Sequence, residues 1–330
     1  MKFKKVNKQR ILDLSAELTS LQKYFLKQYG VDDIFSNSKI FEILTADILG
    51  HTLIPGHSGS RDARDADGGE IEYKHFKESS SNHSWTFNDF SDTTIEKLNG
   101  TKAVLFTHIN DLNDVYVFDW YYEVKGSVMA NYLAEATLSI KNTRKMINVS
   151  PKQIEGRLGI KKIIVKNTMA SGRYKADLNK IYDAIKSMEL ESGVDNILTS
   201  NKIWELLTSI HLNHNVNSEQ GGREGAHDAF DEYGNQYEYK ISKATNWNFQ
   251  DISENVLSKY EHIKHFILAI KDVDSVSIKT IYVVDINLLD RIREKLEEKK
   301  VKKGSAIRRL QISVTLKDIK PYLIKEISVF

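Results

Sequence analysis

The chain contains no cysteine, carries a net charge of only +2 and has no long apolar run. Without cysteine it can form no disulfide, no thiolate nucleophile and no cysteine-ligated zinc or iron–sulfur centre. None of its apolar segments approaches the roughly 20 residues that a membrane span requires. The basic N-terminus runs into a segment interrupted by Asp13 and Glu17, so no secretion signal is expected. We therefore expect a cytoplasmic protein with no membrane partner.

Several common catalytic fingerprints are also missing. The chain has no GxGxxG pattern, no Walker phosphate-binding loop and no Gly-x-Ser-x-Gly elbow, which excludes the usual nucleotide-binding and esterase interpretations. His211 and His214 lie three residues apart on a predicted helix and could clamp a metal. The first half of the chain has no such pair, however, and surface histidines are commoner than metal ligands. We therefore discount this pair.

An acidic motif is present, and it occurs twice. Residues 61–74 read RDARDADGGEIEYK and residues 227–240 read HDAFDEYGNQYEYK. Two carboxylates followed by a lysine suit a magnesium-dependent phosphodiester hydrolase, because the carboxylates hold the metal and the lysine serves the attacking water or the developing phosphate charge. The recurring residues, at a constant offset of 166, are Asp62, Glu72 and Lys74 with Asp228, Glu238 and Lys240.

The duplication extends well beyond this motif. Residues 30–45 match residues 193–208 at nine of sixteen positions, at an offset of 163. A period of about 165 residues is too long for a solenoid repeat and has the size of one domain. The pattern predicts a first repeat at 1–155, a basic connector at 156–176 and a second repeat at 177–330.

Positive charge is concentrated toward the end of each repeat. Residues 141–175 contain ten Lys or Arg against one acid, and residues 291–309 contain nine against three. Clustered cations of this kind can neutralise phosphates along a duplex. For any single lysine the alternative is a solvated helix face.

Hydrophobic spacing predicts the same order of elements in both repeats. Helical spacing covers residues 10–29 and 38–50 and recurs at 177–191 and 201–213. Turn-forming residues between short alternating segments predict a hairpin at each acidic motif, and apolar strands follow. The predicted fold class is α/β, with a central mixed β-sheet flanked by helices in each repeat.

Each predicted hairpin offers two aspartates to the Glu/Lys face. Because side chains alternate along a strand, Asp62 shares a face with Glu72 and Lys74 only if the loop has an odd number of residues. A three-residue loop centred on Gly68 meets this condition, whereas a two-residue turn would bring Asp65 onto that face. The sequence leaves both open and favours Asp62. In the second repeat the same alternatives are Asp228 or Asp231, with a loop centred on Gly234.

Both motifs resemble the PD-(D/E)xK nuclease superfamily, and each repeat resembles a type II restriction endonuclease core. The resemblance implies a tandem duplication of that core, with Mg²⁺ as cofactor and Mn²⁺ able to substitute. It also implies a metal-binding glutamate on the preceding helix and a lysine that helps to activate water. The residues so implied are Glu42, Asp62 and Glu72 with Lys74, and Glu205, Asp228 and Glu238 with Lys240. The chain departs from the family name at Arg61 and His227, which stand where that name has proline.

The helix glutamates have a plain structural alternative. Glu42 falls outside the apolar stripe formed by Ile40, Ile43, Leu44 and Ile48. That position suits either simple solvent exposure or a cleft beyond the sheet edge. The retained pattern KI-x-E-x-L-T around Glu42 and Glu205 favours a functional role.

The resemblance implies a magnesium-dependent endonuclease for double-stranded DNA, and a type II restriction enzyme in particular. A monomer acting as a pseudo-dimer would bring one active site to each strand, and a cognate DNA methyltransferase would be its functional partner. Two alternatives share some of these features. One is a homing, repair or junction-resolving nuclease, and the other is a DNA-binding protein or nickase with one or both sites inactive.

Overall fold

The computed structural model describes most of the chain. The described residues are 6–35, 39–55, 61–80, 82–88, 91–112, 115–138, 140, 146–168, 172–198, 202–217, 227–252, 254–272, 274–303 and 310–329. Parts of both basic segments, at 141–145, 169–171 and 304–309, lie outside them. Within the described residues, no helix is both long enough and apolar enough to cross a membrane.

The chain divides into two compact units. One contains residues 21–183, and the other contains residues 1–20 together with 184–330. The first unit holds the first copy of the acidic motif, and the second unit holds the second copy. Compared with the repeat boundaries seen in the sequence, residues 1–20 group with the second copy and residues 156–183 with the first.

The first repeat is built around a mixed sheet of six strands. Their order is β1-β2-β3-β5-β6-β8, in which β3 and β5 are parallel and the other neighbours are antiparallel. The strands are β1 (Thr52–Leu53), β2 (Ala63–Arg64), β3 (Glu70–Lys77), β5 (Ala103–Asn110), β6 (Val117–Lys125) and β8 (Ile163–Ile164), and a separate ribbon pairs β4 (Trp85–Asn88) with β7 (Met146–Val149). The helices are α1 (Lys8–Tyr29), α2 (Lys39–Leu49), α3 (Asp92–Asn99), α4 (Gly126–Thr137) and α5 (Pro151–Leu158).

The second repeat has the same topology. Its sheet order is β9-β10-β11-β13-β14-β16, again with a single parallel pair, β11 with β13. The strands are β9 (Asn215–Val216), β10 (Ala229–Phe230), β11 (Gln236–Ser242), β13 (His265–Lys271), β14 (Ile278–Asp285) and β16 (Leu323–Ser328), and the ribbon pairs β12 (Asn246–Ile252) with β15 (Leu310–Thr315). The helices are α6 (Lys175–Ser192), α7 (Lys202–Leu212), α8 (Glu254–Tyr260), α9 (Leu288–Lys303) and α10 (Leu316–Ile319). The predicted α/β class, with a mixed sheet in each repeat, is confirmed.

The central strands explain why each sheet holds its position. Residues 103–109 of β5 are all buried, as expected of a strand covered on both faces. The ribbon packs on one face of the sheet through a fully buried indole, whose N–H donates to a sheet carbonyl. Trp85 donates to Thr107 at 2.8 Å, and Trp247 donates to Ala269 at 2.9 Å. Both tryptophans are therefore core residues.

The hairpins have the odd loop that the sequence favours. Ala63 lies opposite Ile71, and the Asp65 amide donates to the Gly69 carbonyl at 3.0 Å, which leaves residues 66–68 as the loop. Gly68 is the last loop residue rather than its centre, because a three-residue loop ends in a left-handed residue, and its φ is +81°. The second hairpin repeats this arrangement, with an amide bond from Asp231 to Asn235 and Gly234 at +81°.

A capping box follows the ribbon in each repeat. In the first, the Ser150 amide donates to the Gln153 side chain at 2.8 Å. In the second, the Thr315 amide donates to Asp318 at 2.9 Å, and Lys295 and Arg291 donate to the same carboxylate at 2.6 and 3.1 Å. Burial alone would raise the pKa of Asp318, but these hydrogen bonds hold it well below its usual range.

Replacing Asp318 by glutamine, the residue type at the matching position of the first repeat, should lower the free energy of unfolding at pH 7 by about 2 kcal/mol. Because the folded pKa of Asp318 lies below its unfolded value, this stabilisation is present above the unfolded pKa and is lost as the pH falls. Urea unfolding of wild type and variant should therefore give a difference in free energy that begins to shrink below about pH 4 and is lost only as the pH approaches the folded pKa of Asp318.

Asp290→Asn is the matched control for that comparison. The Asp290 side chain is 71% exposed and approaches Arg293 only at 3.9 Å, so its loss should change the free energy of unfolding little at either pH. Equal effects of the two substitutions would contradict a special role for Asp318.

Candidate functional site

The residues of the first acidic motif form one cluster beside strand β3. Glu72 and Lys74 point to the same face of β3, and Asp62 lies immediately before β2, where its amide donates to the Ile71 carbonyl at 2.9 Å. The Tyr73 amide donates to the Asp62 carboxylate at 2.7 Å and holds it beside this strand. Helix α2 supplies Glu42, whose pKa responds to the charges of Asp62 and Glu72. The four predicted residues therefore lie together.

Lysines hold the two glutamates of this cluster. Lys74 donates to Glu72, and its ammonium lies 5.3 Å from the centre of the Phe87 ring. Lys39, one turn before Glu42 on α2, donates to Glu42. The side chains of Glu42 and Glu72 are only 13% and 8% exposed, so simple solvent exposure does not account for the position of Glu42.

Burial and mutual repulsion dominate the electrostatics of the cluster. Burial, with the charge of Asp62 added, raises the pKa of Glu42 to about 8. Burial likewise raises the pKa of Glu72 to about 7, although Lys74 opposes the rise. Burial acts to lower the pKa of Lys74, but Glu72 and Asp62 outweigh it and raise that pKa. The site thus gathers carboxyl groups whose ionisation is disfavoured beside a lysine that remains a cation.

The second repeat makes the same contacts. The Tyr239 amide donates to Asp228 at 2.8 Å, Lys240 donates to Glu238, and Lys202 pairs with Glu205 at 3.0 Å. The Lys240 ammonium lies 5.6 Å from the centre of the Phe249 ring. Burial raises the pKa of Glu205 and of Glu238 to about 7 in each case. Both copies of the motif therefore produce the same local chemistry.

The other aspartate of each hairpin has a different position. Asp65 accepts the amides of Asp67 at 3.0 Å and Gly69 at 2.8 Å, and it pairs with Lys102. Asp231 accepts the loop amides of Tyr233 and Asn235 at 3.0 and 2.9 Å. Both residues brace the hairpin loop, which leaves Asp62 and Asp228 beside the Glu/Lys pairs.

The carboxylates are not gathered around one point. Among the described residues, no three His, Asp or Glu side chains are arranged as a set of metal ligands. The reason is that Glu42 and Glu72 each turn an oxygen toward a lysine. The second oxygen of Glu72, Oε2, is buried without a hydrogen-bond partner. Hard oxygen donors that are desolvated and raise one another's pKa fit a divalent cation such as Mg²⁺, which would relieve that repulsion.

A histidine behind the first motif, His51, was missed from the sequence. The His51 side chain contacts the Tyr73 hydroxyl at 2.7 Å, and His214 contacts the Tyr239 hydroxyl at 2.8 Å. Ile48 stands at the position that matches His211, so the first half has no such pair on its helix, but His51 matches His214 at an offset of 163, the offset of that helix. Alignment of the repeats around that helix could have revealed this pair.

The cations in the described part of the two basic segments are of two kinds, those paired with a carboxylate and those exposed on the surface. On α9, Arg291 and Lys295 bind Asp318, and Arg293 binds Glu261, so these side chains stabilise the fold. In the other segment, Lys161 and Lys162 are exposed, and Lys162 lies over the Trp120 ring at 4.3 Å. Ion pairs within the fold therefore account for these three cations of α9, without a phosphate partner.

No model of a known protein family matches the chain, and no curated protein is significantly similar to it. The resemblance to PD-(D/E)xK nucleases therefore stays a prediction from the repeated motif.

Asp62→Ala and Asp228→Ala should each remove one cation site, because each deletes a carboxylate beside a Glu/Lys pair. Asp65→Ala and Asp231→Ala should keep both sites and lower only the unfolding midpoint, because they release loop amides. Titration calorimetry with Mn²⁺, together with thermal unfolding, separates the two effects. If cation binding is instead lost in the Asp65 and Asp231 variants, the assignment of the hairpin aspartates is reversed.

Proposed function

We propose that this chain is a magnesium-dependent endonuclease that hydrolyses phosphodiester bonds of double-stranded DNA, and specifically a type II restriction enzyme. Each repeat would be a restriction-endonuclease-like core. The observation that carries the proposal is the recurrence of one set of contacts, in which an amide-held aspartate, a Glu–Lys pair on a strand and a helix glutamate meet in both repeats. A buried charge cluster puts the fold at risk, because a buried charge that loses its partner is strongly destabilising. A surface hairpin without a function would have no reason to keep such a cluster in both repeats.

The residues that would hold the cation are the carboxylates of each cluster. They are Glu42, Asp62 and Glu72 in the first repeat and Glu205, Asp228 and Glu238 in the second. When bound, Mg²⁺ supplies a more acidic water and positive charge beside the scissile phosphate, and Mn²⁺ can substitute for it. The Tyr73 and Tyr239 amides orient the aspartates, so these two carboxylates are already fixed before an ion arrives.

The lysines would act on the attacking water and on the phosphate. Lys74 and Lys240 each point from the same strand face as the neighbouring glutamate, and each is bordered by a phenylalanine ring. Their ammonium groups are donors without acceptor capacity, so they can orient a water or stabilise charge that develops on a phosphate oxygen. An aromatic neighbour limits access of bulk water to this cation and strengthens its electrostatic effect.

Two such centres in one chain suit a duplex, whose strands have opposite polarity. We propose one centre per strand in a monomer that acts as a pseudo-dimer, with a cognate DNA methyltransferase as its functional partner. Because the two repeats differ in sequence, their recognition surfaces need not read identical half-sites. Complete Asp/Glu/Lys sets in both repeats argue against a protein in which one centre has decayed.

Cleavage of unmethylated phage DNA should require a divalent cation. Mg²⁺ or Mn²⁺ should give discrete fragments, excess chelator should stop the reaction, and Ca²⁺ should support DNA binding without efficient cutting. Gel electrophoresis of the products measures this. The Asp62→Ala/Asp228→Ala double variant, purified in parallel, controls for contaminating nucleases. Efficient cutting in excess chelator would exclude the metal mechanism.

Removing either lysine should convert the enzyme into a nickase. Lys74→Ala should spare one defined strand and Lys240→Ala the other, because each lysine serves only its own phosphate. Supercoiled plasmid should then accumulate as open circle, and strand-specific end labelling should identify the intact strand. Lys77→Ala, on the same strand β3 but paired with Asp111, should still cut both strands. Loss of all cleavage in one single variant, with DNA binding intact, would contradict independent centres.

A further inference from the structure

The two centres differ in how their strand glutamate is held. In the second repeat, the Tyr260 hydroxyl at the end of α8 donates to Glu238 Oε1 at 3.1 Å. Lys240 donates to the same oxygen. Tyr260 is 4% exposed and belongs to the main hydrophobic cluster of this repeat, so its hydroxyl has a fixed position. Glu238 is thus held at Oε1 by two donors from two different elements.

The first repeat cannot make this contact. Helices α3 and α8 match at an offset of 162, as do Trp85 and Trp247, and this offset places Leu98 at the position of Tyr260. Leu98 is 3% exposed and apolar, so it packs in the core without donating a hydrogen bond. Glu72 keeps its contact from Lys74, while its Oε2 remains buried without a partner.

A second donor on one carboxylate oxygen fixes the direction of the other oxygen. Glu238 therefore loses less side-chain freedom when Oε2 coordinates an ion than Glu72 does. Hydrogen-bond partners that orient a ligating group typically change metal affinity by about 10–100-fold. A difference of this size between two otherwise matched centres would separate their cation requirements.

We propose that Tyr260 is a positioning residue that makes the second centre the tighter of two unequal cation sites. At limiting cation, the second repeat then cuts its strand first, and the first repeat follows only as the concentration rises. This inference rests on the proposed function, because it assigns an order to the two centres described there.

Mn²⁺ binding to the full chain, without DNA, tests the inequality directly. Titration calorimetry should resolve a tight and a weak class of site in the wild type. Glu238→Gln should remove the tight class and Glu72→Gln the weak class. Tyr260→Phe should weaken the tight class by about 10–100-fold, so that the two classes become similar. Thermal unfolding of Tyr260→Phe establishes that the variant remains folded.

Tyr282→Phe is the matched control. Tyr282 lies in the same hydrophobic cluster and its hydroxyl bonds Glu326, so its loss removes a tyrosine–glutamate hydrogen bond away from the centre. This variant should keep both classes of Mn²⁺ site unchanged. An equal weakening by Tyr282→Phe would mean that any such loss in the core disturbs the centre, and it would overturn the positioning role.

Strand-specific nicking gives a second readout. Across a Mn²⁺ titration, the wild type should first cut the strand that Lys240→Ala spares. Tyr260→Phe should show no such order at limiting Mn²⁺ and should still cut both strands at saturating Mn²⁺. Two equal binding classes in the wild type, or a tight class removed by Glu72→Gln, would overturn the inference while leaving the proposed nuclease intact. Absence of any Mn²⁺ binding would overturn both.

Discussion

Burial of clustered carboxylates is the constraint on which each repeat depends. Desolvated carboxylates repel one another, as the raised pKa values of Glu42 and Glu72 record, and they are tolerated only because a lysine lies beside each. That arrangement needs a helix and a strand at fixed positions. It follows that the odd hairpin loop, the buried neighbouring strand β5 and the packing of α2 all serve the same cluster, because a shift in any of them would leave a buried charge unpaired.

The repeats preserve structural contacts and vary what surrounds the cluster. The indole-to-carbonyl bond, the capping box and the hairpin turn occur in both, at positions that the chain alignment relates. Near the motif, however, His75 on β3 bonds Thr107, whereas Ile241 stands at the matching place on β11. Leu98 and Tyr260 differ in the same way. Under the proposed function, divergence of this kind would change the properties of one centre without changing the residues that define it.

The sequence predicted those features of the fold that follow from the periodicity of strands and helices, namely strand faces and helix positions. Strand alternation and loop parity favoured Asp62 as the aspartate beside the Glu/Lys pair, and helical spacing located the four helices around the motifs. It could not decide whether Glu42 is buried, because a helical wheel shows which residues leave the apolar stripe and not what lies opposite them. Nor could the sequence distinguish basic side chains that pair with carboxylates of the fold from exposed ones. The ion pair of Arg291 with Asp318, for example, depends on the packing of α9 against the ribbon. Tyr260 was missed for the same reason, because its proposed positioning role depends on a hydrogen bond to Glu238, which lies 22 residues away in the chain and on a different element.

The lysine contacts connect cation binding with phosphate binding under the proposed function. Lys74 donates to Oε1 of Glu72 in the described arrangement, and a cation held at Oε2 would share the neutralisation of that carboxylate. The Lys74 ammonium would then be a largely desolvated cation whose charge is only partly neutralised, which is unfavourable until an anion approaches. A phosphate oxygen meets that requirement. Cation and DNA would therefore strengthen each other's binding, because each removes the unpaired charge that the other would leave.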